Sequence, residues 1–454
     1  MKKMISAILV MMLLTVFGIS AAESEPRKME TAADADEFIT AFLGEHPEEL
    51  EGLWALSPQM TAALKQMGGI AALAKQLAAL GTPETVLPAY EGEMRGLKAF
   101  HIPCVFSAMQ ADLILIVQDG AIAGLQTGTY SGGGQEETKN ESDLYDSMEL
   151  ALPVPSLGEL PGVLTVPKGE GPFPVVILLQ GSGASDKDES VGNLKPFRDL
   201  AEGLAEKGIA VYRFDKRSYV YGMELAADRQ ITLEDEYLED AVNAVQLLAR
   251  QDRIDPDRIY VLGHSLGGNA IPALARELEK VPVKACGFIM MAASPRPLDV
   301  LMREQYDFLY SLMPEITDEQ QAEKDAVFAE LDKLQDLDSL AEDDTVAGVY
   351  AAYWKWLADY DILQAAGEIT EPVLLLQGEE DYQVTMEDFR IWKEALGEKK
   401  NWQMISFPGL THAFTAGQKT EGAAVYSRAD RVDARVIQEL ADFIARTGTN
   451  ASGQ

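Results

Sequence analysis

Residues 259–268 read Ile-Tyr-Val-Leu-Gly-His-Ser-Leu-Gly-Gly, an apolar β-like run that enters a serine bracketed by glycines two positions either side. A serine on a strained strand-to-helix turn carries its hydroxyl clear of the backbone, and this order is what such a nucleophile elbow needs. Gly263 and Gly267 suit the turn because strand and helix come too close there for a Cβ. A hydroxyl is a weak nucleophile. Ser265 would need a general base, an acid to orient that base, and N–H donors where negative charge develops. The chemistry would be acyl transfer through a covalent serine intermediate.

In an elbow of this kind the partners follow in the order serine, acid, histidine. The chain has four histidines, and only His412 lies beyond the last strand pattern, in Pro408-Gly-Leu-Thr-His-Ala-Phe414. His412 is the expected base. His264 sits in the elbow itself, where its side chain points away from the serine hydroxyl, and packing or a supporting hydrogen bond is its expected role. His46 and His101 lie near a helix start and in a strand and receive no role. The acid should follow the preceding strand, Val373 to Leu376. There, Gln377-Gly-Glu-Glu-Asp-Tyr-Gln-Val384 favours Asp381 by its spacing, with Glu380 and Glu379 as fallbacks. The oxyanion donors would be the N–H of Leu266 and one from Gln180-Gly-Ser-Gly-Ala184, at Ser182 or Gly183. Asp186, Asp188, Glu189, Asn193 and Lys195 follow that loop and either rim the pocket or tie the loop down.

The elements that must position these residues alternate. Strand patterns cover 147–152, 160–166, 175–179, 209–214, 259–262, 286–291, 373–376 and 402–407. Helical patterns cover 196–207, 233–250, a stretch after the elbow, and about 430–445. Eight strands with helical crossovers after the first three describe an α/β-hydrolase sheet, mostly parallel. Pro272 inside the post-elbow helix should kink it or remove a backbone bond. Residues from about 294 to 370 interrupt the alternation with acidic helices, including 317–337 and 346–360, as a helical cap over the site would. The aromatic residues Tyr350, Tyr353, Trp354, Trp356 and Tyr360 either line an acyl or aromatic pocket or pack the cap on the sheet.

Upstream, residues 31–81 have a helical pattern, with Ser57-Pro58 as a helix start and Gly81 as a stop. Between 85 and 130 the period becomes two, with a turn at Asp119-Gly120. This gives a small α+β domain at 23–130, a Gly-rich linker at 131–146 and an α/β domain at 147–454. The small domain resembles the cone-shaped helix-plus-sheet domain of unknown function that precedes hydrolases in some bacterial proteins. Lys2 and Lys3, the apolar run 4–17 and Ser20-Ala-Ala22 form a secretory signal pattern over 1–22, so an exported chain is expected. No other stretch is long and apolar enough to span a membrane. The net charge of −35 argues against nucleic acid and anionic membrane surfaces. Cys104 and Cys286 could pair after export, but their apolar settings favour buried free thiols. No metal motif and no cofactor motif is present. Gly181-Ser-Gly183 completes neither a dinucleotide nor a Walker pattern.

Three runs resemble bacterial exported serine hydrolases of the dienelactone-hydrolase and prolyl-oligopeptidase-like group: 180–204, 208–218 and 255–268. That group carries a structural histidine where Gln180 stands. The resemblance implies hydrolysis of a small-molecule carboxylic ester. A serine aminopeptidase, or an acyltransferase or thioesterase, could use the same three residues, although 23–130 is too short for a gating propeller. A catalytically silent binding protein on this fold is the reading from another class, and a serine, acid and histidine in order argue against it. Oligomeric state is not readable.

Overall fold

The computed structural model describes residues 26–44, 46–50, 52–77, 82–94, 97–106, 110–128, 142–225, 228–428 and 430–448. The expected signal segment 1–22, Gly81 and residues 131–141 of the expected linker lie outside them. The described chain divides into two compact units. One holds the residues up to Ala78 with Pro88–Ile102 and Ile114–Gln126; the other holds Ala79–Leu87, Pro103–Leu113 and the chain from Thr127.

In the first unit, a helix at Ala32–Phe42 is capped by Thr31 and buries Phe38, Ile39 and Phe42. Ser57 accepts from the Met60 amide at 3.1 Å, and with Pro58 it starts a helix at Pro58–Met67. The helical pattern does not run on unbroken. Gly68 and Gly69, at φ 94° and 98°, stop it, and a separate helix spans Ile70–Gln76. Strands β1 (Pro83–Val86), β2 (Tyr90–Met94), β3 (Leu97–Phe106), β4 (Gln110–Gln118) and β5 (Ala121–Gly128) form one sheet, ordered β1-β3-β4-β5 with β2 also on β3. Asp119 and Gly120 turn β4 into β5 with φ of 53° and 81°, the left-handed pair that a tight hairpin requires.

The second unit carries β6 (Tyr145–Glu149), a small hairpin of β7 (Leu152–Val154) and β8 (Gly158–Leu160), then β9 (Gly162–Pro167), β10 (Phe173–Leu179), β11 (Ala210–Phe214), β12 (Ile254–His264) and β13 (Gly287–Met291). After the cap come β16 (Val373–Gly378) and β17 (Trp402–Phe407), with the cap's own hairpin β14 (Thr345–Val346) and β15 (Val349–Tyr350) between. The eight-stranded sheet has the order β17-β16-β13-β12-β10-β11-β9-β6, antiparallel at β9 and β6 and parallel from β11 to β17. This is the α/β-hydrolase sheet. The first two expected strands prove shorter, and the extra β7–β8 hairpin takes up residues assigned to both.

Alternation along β10 divides the core. Val175, Ile177 and Leu179 face one buried cluster with the helices at 239–248, 266–278 and 386–396; Val176 and Leu178 face the other, with the helices at 196–205 and 434–448. Trp392 is the largest fully buried side chain, and its indole N–H donates to the Ala293 carbonyl at 2.8 Å.

The cap leaves the sheet after β13, with helices at Leu298–Ser311, Asp318–Asp332 and Ala351–Asp359. The helix expected from 346 begins only at Ala351. Ala347 and Gly348 take φ of 49° and 79° and fold 345–350 into a hairpin instead. The expected helix at 317–337 ends at Asp332 and continues as 3₁₀ turns, and that at 233–250 opens with a π-turn over Glu234–Leu238. Pro272 does not break the helix Leu266–Leu278, and Tyr360 from the cap donates its hydroxyl to the Asn269 carbonyl nearby. Cys104 and Cys286 are not joined in a disulfide, and burial pushes the Cys104 thiol up to about 12. No helix among the described residues is long and apolar enough to cross a membrane.

Replacing Trp392 by Ala leaves a large cavity under β13 and an unpaired carbonyl, and should destabilise the α/β unit by about 3–5 kcal/mol. Urea unfolding followed by circular dichroism measures it.

Candidate active site

β12 ends in the elbow. Ser265 adopts φ 52° and ψ −121°, a strained conformation for a residue with a side chain, and its amide donates to the Met291 carbonyl of β13 at 2.8 Å. A Cβ on Gly263 would stand 2.2 Å from the Gly267 oxygen, and one on Gly267 would stand 2.5 Å from the carbonyl oxygens of both Leu179 and Gln180. Both glycines are therefore forced by room.

The loop after β17 brings His412 to a cavity of about 340 Å³ that Ser265, Ser182 and Gly181 also line. His412 Nδ1 lies 2.6 Å from Asp381 Oδ2. Asp381 is buried, and its other oxygen accepts from the amides of Gln383 (2.7 Å) and Val384 (3.0 Å). Gln377 donates its amide to Oδ2 at 3.1 Å. With Nδ1 donating to the carboxylate, Nε2 is the basic nitrogen. The other two carboxylates of the run are used elsewhere: Glu379 accepts from the Ser406 hydroxyl and Glu380 from the Lys419 amide. The geometry separates Asp381 from its neighbours, which spacing alone did not.

The loop at 180–184, expected to supply an oxyanion donor, is held from behind by a residue the sequence reading assigned no role. Lys216 is fully buried and donates from Nζ to the carbonyls of Gly181 (2.8 Å) and Gly183 (3.1 Å) and to the Tyr237 hydroxyl (2.6 Å). Its charge is met by Glu236 at 2.6 Å, which also accepts from the Tyr353 hydroxyl of the cap at 2.6 Å. Glu236 and Tyr237 both sit on the π-turn. Burial pulls Lys216 below the ordinary lysine range, against the opposing pull of Glu236. In a planar trans peptide the N–H points opposite to the C=O. With the Gly181 carbonyl turned to Lys216, the Ser182 N–H is turned away from it. Gly183 lines a neighbouring cavity with Leu266 and Ser182. The one available signal for Lys216 was a cation placed directly after a buried strand, in Phe214-Asp-Lys-Arg217.

The polar set behind the loop divides. Asp186 accepts from the amides of Asp188 and Ser190, Asp188 pairs with Arg213 at 2.7 Å, and Asn193 donates to the Ser427 carbonyl. These tie the loop down. Glu189 instead lines the Ser265 cavity. Gln180 is buried and donates to the carbonyls of Asp186 and Phe214.

Two further cavities, of about 400 and 350 Å³, meet at Leu266 and Leu298 under the cap. Tyr350 and Tyr353 line the first, Trp354 and Tyr360 the second, while Trp356 packs at a tilt against Tyr360 with ring centroids 4.7 Å apart. The aromatic residues thus supply walls as well as packing. In the second cavity Arg296 is already bound to Asp388 and Glu304, so the space it offers is largely apolar.

Replacing Lys216 by Met removes the anchor of the oxyanion loop without touching the cavity. A steady-state assay should find kcat lowered about tenfold or more with KM within about twofold, because the loss falls on transition-state charge.

The family model described as serine aminopeptidase, S33 (Hydrolase_4) matches residues 192–418. Esterase EstD of Thermotoga maritima is 35% identical over 337 residues, covering 74% of this chain and 76% of its own. Among solved structures, Est1E from Butyrivibrio proteoclasticus aligns with a TM-score of 0.43 at 16% identity, over 66% of this chain and 99% of its own. The Pyrococcus furiosus esterase Pf2001 aligns with a TM-score of 0.43 at 16% identity, over 70% and 96%. The family match and the close relative agree with the sheet order and the elbow: this protein belongs to the serine aminopeptidase (S33) family of α/β-hydrolase serine hydrolases.

Proposed function

We propose that the protein is a carboxylic ester hydrolase that works through Ser265, His412 and Asp381 by way of an acyl-enzyme. The observation that carries this reading is the 2.6 Å bond between His412 and buried Asp381, in a loop whose histidine shares one cavity with Ser265 and Ser182. Ser265 Oγ attacks the acyl carbonyl while His412 Nε2 takes its proton. Asp381 orients the ring and stabilises its positive form. The tetrahedral oxyanion is received by the Leu266 and Ser182 amides. The bond to the leaving alcohol then breaks, and His412 returns the proton to that oxygen. Water attacks the acyl-enzyme, His412 accepts its proton and returns it to Ser265, and the carboxylic acid leaves.

The naming of the close relative as an esterase supports an ester over an amide. The largely apolar cavities under the cap support an apolar acyl group, aliphatic or aromatic, on the substrate. The description of the family as aminopeptidase supports a second reading, cleavage of an aminoacyl amide by the same residues. Ser265→Ala should abolish hydrolysis of p-nitrophenyl esters, by at least about a thousandfold, and labelling by a fluorophosphonate, with the far-ultraviolet spectrum unchanged. Wild-type turnover in that variant would sink the proposal. A panel of short, long and aromatic esters set against aminoacyl amides decides between the two readings.

We propose further that the chain is exported, with 1–22 as its signal, and that 23–130 and 147–454 are separate domains joined by 131–146. The charge and apolar pattern of the first 22 residues and the Gly-rich composition of 131–134 support this. Mass spectrometry of the secreted protein should find a mature chain beginning at Glu23, and limited proteolysis should cut first within 131–146. An intact Met1 on the exported protein, or a first cut elsewhere, contradicts it.

A further inference from the structure

Glu189 and His264 take no part in the reaction steps given above, yet they join its three loops. Glu189 Oε1 accepts from the Gly181 amide of the oxyanion loop at 2.6 Å and faces His264 Nδ1 at 2.9 Å. His264 is the elbow residue next to Ser265, and its Nε2 faces the His412 main-chain carbonyl at 3.0 Å. Both side chains are buried. Glu189 is held in place by a left-handed backbone, φ 51°, unusual for a residue with a long side chain.

The contacts of this pair require a proton between Glu189 and His264. A carbonyl oxygen only accepts, so His264 Nε2 must carry a hydrogen. Glu189 Oε1 already accepts the Gly181 N–H, and a carboxylate in that role accepts a second one from Nδ1. A neutral imidazole has one N–H and cannot serve both partners. The Nδ1–Oε1 contact therefore needs a further proton, held either by an imidazolium beside a carboxylate or by a neutral acid beside a neutral ring, while Glu189 Oε2 is buried without a partner. The charged and titratable groups around the ring are Glu189 on the oxyanion side and Asp381 and His412 on the base side, the His412 ring centroid lying 4.7 Å away. Lys216 lies beyond Glu189. Burial is the largest single influence and opposes the charge on His264, but Glu189, the His412 carbonyl and Asp381 together outweigh it and leave the ring above its ordinary range, which favours the imidazolium.

We propose that Glu189 and His264 are a charged positioning pair, which holds the oxyanion loop, the elbow and the base loop in the register that turnover needs. This rests on the reading of Ser265 and His412 as nucleophile and base. Because His264 is raised, the pair is intact below its folded pKa and is lost as pH rises through it. When the proton leaves, one of the two bonds must go.

The test compares pH profiles of kcat for the wild type and Glu189→Gln on a p-nitrophenyl ester. The glutamine oxygen still accepts from Gly181, but the carboxylate that keeps His264 charged is gone. The wild type should lose kcat on the alkaline side. Glu189→Gln should already show kcat about tenfold down at pH 7, with KM within about twofold and no alkaline step. A folded Glu189→Gln enzyme with the wild-type kcat and alkaline limb overturns the proposal. Should that variant fail to fold, nitrogen-15 NMR of the wild-type histidines decides. Both His264 ring nitrogens protonated at pH 7 support the pair, and a neutral ring overturns it. Failure of the underlying reading looks different, because the wild type would then not be labelled by a fluorophosphonate at Ser265.

Discussion

The contact on which this site depends is the near-collision of strand and helix at the elbow. Gly267 packs with no room for a methyl group against the carbonyls of Leu179 and Gln180, and Gly263 against Gly267. That approach places the end of β10, and with it the oxyanion loop, beside Ser265. It is also why Ser265 accepts a backbone conformation that its side chain disfavours. A wider crossing would relax the serine and separate it from the loop. The sheet behind, buried on both faces, holds the crossing rigid.

Around that crossing the fold buries cations in a chain whose formal charge is −35. Each is matched. Lys216 meets Glu236, Arg213 meets Asp188, and Arg217 meets Asp240 at 2.6 Å. A buried ion pair adds little to stability over an apolar replacement, whereas breaking one is costly. Positional specificity is the better account here, since these pairs sit behind the loops that surround Ser265. Lys216 turns two carbonyls of the oxyanion loop towards itself and so turns the intervening N–H the other way.

The cap connects to this apparatus at two places. Tyr353 reaches Glu236, the partner of Lys216, and Tyr360 reaches the helix that starts at the elbow. Both tyrosines also line the cavities under the cap. The walls of the cavities under the cap are therefore joined by hydrogen bonds to Glu236, the partner of Lys216, and to the helix that follows Ser265.

Local signals sufficed for much of this. The elbow turn, the late loop that carries His412 and the strand–helix alternation were legible because each rests on neighbours in the chain: a serine between glycines, one histidine in a late loop, a period that changes from 2 to 3.6. Spacing also favoured Asp381, but its neighbours Glu379 and Glu380 are equally acidic, and only the turn that gives Asp381 the amides of Gln383 and Val384 sets them apart. Local pattern misled where a glycine broke it. The pairs Gly68-Gly69 and Ala347-Gly348 end or delay helices that apolar spacing alone extends. The partners of Lys216, Glu189 and His264 were beyond the sequence for a different reason. They lie 35, 8 and 148 residues away, and whether a buried charge is a support or a liability depends on the groups that folding brings within 3 Å of it. The chain order determined which residues could do the chemistry; the tertiary structure decided what holds them, because a hydrogen bond answers to distance and not to sequence.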